Sequence, residues 1–434
     1  MALNRNEAKS AIETALELRN KDANHLETLR SYRSGNQAHP SLIAGGLPPE
    51  VHRFIAMSRV NVVKLVVEVI AQSLYVDGYR TDTVDTFGDD PIWDVWQANG
   101  LDSKQAAVHR GAFTYGVSYA LVLPGDPVPV ITPKSPRHMT AVYGSNMDEP
   151  LYALELIPNG EHDRLILYDD AYRWTFTTEG GLKYVEFEAH NAGVVPVVRF
   201  ANVEDIDDDL ESEIEDLIPL QDQVDVTTFE LMVAQHYQAF IQRYIIGWTT
   251  DNESEKLKAS ASRLLTFDDS DVKVGQFDQA DLSKYLESRE STMQHLAIIS
   301  QTPPHHLLGK LVNLSAEALA AAESGHRRKI NGKKKTLGEA WERTLGLVAR
   351  YQGAPFDPGA QVRWQDTEAR SLAQTVDALG KLATMLNVPP QVLWERVPGV
   401  TQRDVAEWRR TAMEMDPIGS LTGMLERQAA ELGL

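Results

Sequence analysis

Residues Pro219–Ile246 read PLQDQVDVTTFELMVAQHYQAFIQRYII, and residues Asp281–Ser300 read DLSKYLESRESTMQHLAIIS. After Pro219 the first stretch has no Gly or Pro until Gly247. Proline is tolerated in a first helical turn but not in a helix interior, so the spacing predicts one helix of about 42 Å at 1.5 Å per residue. Two apolar stripes run along it. Val226, Phe229, Val233, Tyr237, Phe240 and Tyr244 step by three and four, and Val224, Leu231, Ala234, Gln238, Ile241 and Ile245 do so on another face. A helix packed on one core needs a single stripe; two predict neighbours on two sides, either within one large domain or between identical subunits in a ring. The second stretch carries its own stripe, Leu282, Tyr285, Leu286, Met293, Leu296 and Ile299. Trp248–Gln279 between them is polar, with only short apolar runs, and is too small to bury a core of its own.

Working outward, the chain before this pair changes texture at Val117. Residues 1–115 read as helices broken by the turn-rich Ser34–Pro49. From Val117 to Ala201, short alternating or apolar runs are separated by Pro158-Asn159-Gly160 and Glu179-Gly180-Gly181, the pattern of antiparallel strands. The acidic stretch Glu204–Asp216 lacks Lys and Arg and reads as a solvated linker leading into a helix N-terminus, where carboxylates suit the dipole. After Ser300, Thr302-Pro303-Pro304 stops the helix, and His305–Asn313 reads as a loop. A long helix follows over Ala316–Tyr351, then shorter ones over Ser371–Met385, from Pro389 or Pro390, and after Thr401. The fold class is α+β.

Composition narrows function. The chain has 434 residues, 43% hydrophobic and 24% charged, enough for two or three domains. It has no cysteine, hence no disulfide framework or thiolate metal site. Val60–Val76 is interrupted by Lys64 and Glu68 and reads as a core helix, so no membrane partner is expected. The net charge of −20 argues against a tight nucleic-acid binder.

Signatures of chemistry are missing. There is no G-x-x-x-x-G-K-[ST], no G-x-G-x-x-G after a strand, no G-x-S-x-G and no H-E-x-x-H. His305 and His306 are adjacent, so their side chains are expected to diverge and hold no metal. His25, His39, His52 and His109 read as surface or loop histidines. No catalytic residue, cofactor or metal is expected. The one concentrated basic feature is Arg327, Arg328, Lys329, Lys333, Lys334 and Lys335, either a solvated face or a contact to a DNA backbone, which needs only positive charge.

The order of these elements resembles the portal protein of long-tailed double-stranded DNA phages over nearly the whole chain. The residues that carry the resemblance are Tyr32-Arg33-Ser34-Gly35; Asn61–Gly78 with Leu74, Val76 and Asp77; Trp96, Asn99, Leu101, Asp102, His109 and Gly116; Thr132–Tyr143; Val195–Asn202; Pro303, Pro304, Leu308, Gly309, Ser315, Ala318 and Leu319; and Pro398-Gly399. Ala316 stands where the family has a glycine. The resemblance implies a wing over 1–218 (β-rich at 117–201), stem helices over 219–246 and 281–300 and a clip over 247–280. It further implies a tunnel loop over 301–315, a long helix and return to the wing over 316–370, and a crown over 371–434.

It also implies a homo-oligomer of twelve at one capsid vertex of the virion, assembled in the host cytoplasm. The stem interface would be Val226, Phe229, Val233, Tyr237, Phe240 and Tyr244, and the clip would dock partners through Trp248, Asp251, Glu253, Phe267 and Phe277. The tunnel loop would present His305, His306, Lys310 and Asn313 to double-stranded DNA passing without sequence specificity, with the basic helix as a second DNA-facing element. The implied partners are the terminase large subunit, the head–tail adaptor, and the major capsid and scaffolding proteins. Twelve copies at −20 each give a ring of formal charge −240, suited to letting DNA slide. A different capsid or connector ring protein, or an enzyme with an unfamiliar site, are the alternative readings.

Overall fold

The computed structural model describes residues 2–40, 49–81, 91–145, 149–203, 210–238, 243–246, 273–276, 281–309, 316–354, 357–365, 372–397, 399–400 and 402–415. Five helices open the chain: α1 (Arg5–Ser34), α2 (Pro49–Ser58), α3 (Val62–Gln72), then, after strand β1 (Val76–Arg80), α4 (Pro91–Ala98) and α5 (Leu101–Tyr115). Asn4 caps α1, accepting from the Asn6 and Glu7 N–H groups while the Glu7 carboxylate takes the Asn4 N–H. Gly35 ends it at φ 75°.

Eight strands follow: β2 (Val117–Leu123), β3 (Val130–Lys134), β4 (Met139–Tyr143), β5 (Pro150–Ile157), β6 (Arg164–Tyr168), β7 (Tyr172–Thr177), β8 (Lys183–Ala189) and β9 (Val197–Ala201). They form a three-stranded sheet, β3-β2-β9, and a five-stranded meander, β4 to β8, all antiparallel. The period of two sorts their side chains. Leu154, Leu156, Leu165, Leu167, Trp174 and Phe176 face Ala8, Ala11, Ile12 and Ala15 of α1. Ala153, Ile166 and Tyr168 turn the other way, onto Val117, Tyr119 and Leu121 of the smaller sheet. Gly116 joins α5 to β2 at φ 81°, and a Cβ there would lie 2.9 Å from the Leu210 carbonyl oxygen, so glycine is required on both counts.

The remainder is α6 (Ile218–Gln238), β10 (Arg243–Ile246), β11 (Lys273–Gln276), α7 (Ser283–Ile299), the short α8 (Pro304–Leu308), the 37-residue α9 (Ala316–Gln352), β12 (Gln361–Trp364), α10 (Leu372–Met385), α11 (Pro390–Leu393) and α12 (Gln402–Met415). Helix α6 packs along α7 and against α2. The main core collects α3, α4, α5, the small sheet and α9 around Trp341, whose ring meets those of Trp96 and Phe200 edge-on at 4.8 and 4.7 Å.

Three expectations need correction. The helix predicted over 219–246 ends at Gln238, and Arg243–Ile246 is a strand paired with Lys273–Gln276. The run RYII is β-branched and aromatic, and a non-local partner decides its state. His305–Asn313, expected as a loop, begins inside a helical turn, because Pro304 sits at its favoured first position and Gly309 closes it at φ 63°. The core helix expected over Val60–Val76 spans Val62–Gln72, and Val76 opens β1, which pairs with β12 from the other end of the chain.

Candidate functional site

The helix pair is rooted through polar groups. Gln221, Asp225 and Thr228, at i, i+4 and i+7, are buried on one face of α6 with Val224 and Leu231. The Gln221 side-chain oxygen accepts the Val62 and Val63 N–H groups at 2.9 and 3.3 Å, covering orphan donors at the α3 N-terminus. Its amide donates to the Val60 carbonyl at 2.7 Å and to Asp225 at 3.0 Å. Asp225 also accepts from the Gln37 amide and the Val60 N–H. Burial pushes its carboxyl up, and these donors partly offset that. Beside it the Tyr32 hydroxyl donates to Asp222 at 2.8 Å.

Val224 and Leu231 belong to one of the two predicted apolar stripes; the other lies on another face. Val226, Phe229 and Val233 are half-buried, with Phe229 edge-on to His39 at 5.6 Å. Tyr237 is in the last turn of α6, Phe240 lies outside the described residues, and Tyr244 belongs to β10 rather than to the helix. Among the described residues, buried side chains on α6 stop at Leu231, and those on α7 begin at Thr292. Leu286, Ile298 and Ile299 of α7 are 48%, 70% and 51% exposed. Trp248, Asp251, Glu253, Phe267 and Phe277 lie outside the described residues, as do Lys310 and Asn313.

The six basic residues of α9 divide. Lys329 and Lys333 turn inward onto Glu213, whose side chain is 8% exposed; Lys333 Nζ meets Glu213 Oε1 at 2.7 Å and Lys329 Nζ meets the other oxygen. Lys333 also donates to the backbone and side-chain oxygens of Asn202 at 2.9 and 2.6 Å, and Lys329 to the Ser300 carbonyl at 2.8 Å. Burial raises the Glu213 carboxyl, but the two ammonium groups outweigh it and hold it below the usual range. The acidic run is therefore not all solvated: Glu213 ties residues before α6 to α9 and to the end of α7. Lys334 donates to the Gln365 carbonyl, Arg327 pairs with Glu323, and Arg328 and Lys335 are exposed.

Helix α8 sits beside this knot with Leu307 buried in the main core. The expectation that His305 and His306 diverge is corrected. Their rings lie 4.4 Å apart, tilted by 35°, and His305 Nε2 is 3.8 Å from Glu323 of α9. Successive helical side chains leave about 100° apart, and both imidazoles swing toward the third group between them. Among the described residues, these three form the one group of three whose ligand atoms all lie within 4.8 Å of one another. Two other histidines read as surface groups are buried. His39 meets the Ser58 hydroxyl at 3.1 Å. His109 accepts from Trp341 Nε1 at 2.9 Å, and burial pulls it down to about 3. Its place in α5, opposite a tryptophan 232 residues away, left no local signal.

No described helix is long and apolar enough to cross a membrane. The chain matches the family model "Phage portal protein, SPP1 Gp6-like" over residues 17–417. The portal protein of Mycobacterium phage D29 is 28% identical over 387 residues, covering 82% of this chain and 79% of the relative. That of Mycobacterium phage L5 is 27% identical over 375 residues, covering 80% and 76%. Among solved structures, a chain from the neck of an empty GTA particle, computed with C6 symmetry, superposes with a TM-score of 0.50 at 11% identity, covering 83% of this chain and 96% of that one. A match running from the first helix through the last described one leaves no room for a different assignment of the whole: the chain belongs to the SPP1 Gp6-like family of phage portal proteins.

Proposed function

We propose that the chain is the subunit of a homo-oligomeric portal ring at one capsid vertex. Double-stranded DNA would pass through its central channel during packaging and ejection, and the ring would dock first a terminase and then a head–tail adaptor. The observation that carries the reading is the helix pair, rooted at one end by buried polar groups and presenting Leu286, Ile298 and Ile299 to the outside. Apolar side chains left exposed on a rod that is otherwise well anchored call for a neighbour. The C6 symmetry of the similar neck structure agrees with a ring, as does family membership.

Within this reading α6 and α7 line the wall between subunits, and residues 247–280 carry the docking module. Of the six-residue basic cluster, the exposed Arg328 and Lys335 are the cations offered to a phosphate backbone, since Lys329 and Lys333 are committed to Glu213. The portal family is structural, and the chain is expected to hydrolyse no nucleotide. Negative-stain imaging of the purified chain tests the proposal: annular particles with a central hole are expected, and monodisperse compact monomers would overturn it. ATP turnover by clean protein, abolished by a point substitution in this chain, would overturn the non-enzymatic part.

A further inference from the structure

We infer that His305, His306 and Glu323 form a binding site for a borderline divalent cation of the zinc type, joining α8 to α9. Two imidazoles and one carboxylate are a donor set that zinc takes with a fourth position open to water. Calcium and magnesium need more oxygen ligands than one carboxylate supplies. The ligand atoms already lie within 4.8 Å of one another, so closing around a cation asks for side-chain rotation and no movement of either helix.

The backbone under the site is fixed independently of any cation. Leu307 anchors α8 in the core, Lys329 holds the Ser300 carbonyl, and the His326 ring meets the Gln301 carbonyl at 3.2 Å. Both sides are thus preset, which lowers the ordering cost of binding. The ordinary explanation of the cluster is an ion pair, with Glu323 shared between His305 at 3.8 Å and Arg327 at 3.7 Å. Both distances exceed those of a hydrogen-bonded pair, and Arg327 is about two-fifths exposed. That arrangement holds Glu323 weakly and leaves His306 without a role. His306 is exposed and makes its ring contact with His305, and a cation gives both imidazoles one task. The consequence is a cross-link between the turn that follows α7 and the first third of the long helix.

The test uses the full chain, stripped with a chelator and titrated with Zn2+ alone by calorimetry, with Co2+ absorbance as a second readout of ligand geometry. One Zn2+ per chain is expected, with an upward shift of the melting midpoint. His306→Ala and Glu323→Gln should each weaken binding by about ten-fold or more, since a zinc site needs three or four converging ligands. His52→Ala, exposed on α2, should not. His306 is exposed, so its variant keeps the fold, and unchanged circular dichroism verifies that for both. Absence of saturable Zn2+ binding to the full chain, or equal affinity in His306→Ala and Glu323→Gln, overturns the inference. Neither outcome depends on whether the chain forms rings.

Discussion

The two halves of the α6–α7 pair are built on opposite plans. The rooted half carries Gln221, Val224, Asp225, Thr228, Leu231, Thr292, Leu296 and Ala297 in the interior, and Gln221 and Asp225 are engaged by Gln37, by α3 and by the turn before α3. The far half, Met232–Gln238 and Ser283–Ser291, has no buried side chain among the described residues. Both are helical and continuous, so backbone hydrogen bonding does not separate them. The difference teaches that one chain buries α6 fully up to Leu231; beyond it the described side chains reach only partial cover, as where His236 meets Phe54 of α2 at 5.1 Å. A rod of this kind is stable in isolation at its root and completed by packing at its tip.

The comparison breaks most readily at the root. Glu213→Ala leaves two ammonium groups facing each other in a site where Lys333 is 8% exposed, and should cost about 3–5 kcal/mol, measured by urea unfolding. The Glu213 carboxyl is held below its usual range, so its contribution is complete above the unfolded pKa and fades as pH falls through the folded one. A second effect comes from His109. Its folded pKa is lowered to about 3, so the unfolded chain takes up a proton first as pH falls, and stability is lost between about 6.5 and about 3. At about 1.4 kcal/mol per pH unit, roughly 2 kcal/mol should disappear between pH 6.5 and 5. His109→Gln should flatten that slope by one proton. Gln221→Ala uncovers the α3 N–H groups and should cost about 1–3 kcal/mol in thermal or urea unfolding. The sharpest contrast is the smallest in stability. Leu286→Asp should move subunit stability by under about 0.5 kcal/mol, yet reduce annular particles in negative stain. Unfolding of the subunit by that substitution would erase the distinction between root and tip.

Much of this was legible in the sequence because it is local. The meander from β4 to β8 follows alternation punctuated by Gly160, Gly180 and Gly181, all at positive φ, and α9 spans Ala316–Gln352 against an expected Ala316–Tyr351. What escaped is non-local. Strand β10 was read as helix because RYII fits either state until Lys273–Gln276 arrives beside it. The buried face of α6 was legible at Val224 and Leu231, which lie on a predicted stripe, but Gln221 and Asp225 interrupt it, and only their partners at 60–63 and at Gln37 make them interior residues. Lys329 and Lys333 looked like surface cations because Glu213 lies over a hundred residues away. His305 and His306 looked divergent because the group between them, Glu323, is on another helix.

The pairing of β1 with β12 joins Val76 to Trp364, and Trp341 completes the core around Trp96 and Phe200. Seen in the order in which a ribosome delivers the chain, this core is ready for its last piece long before that piece exists. Between Trp96 and Trp341 lie 245 residues of synthesis, about 12–50 s at typical elongation rates. During that interval Val95, Phe113 and Phe200 have no cover from α9. The nascent chain therefore cannot close its body until α9 has emerged, and a truncated product ending before residue 341 should be captured by chaperones rather than persist as a folded subunit.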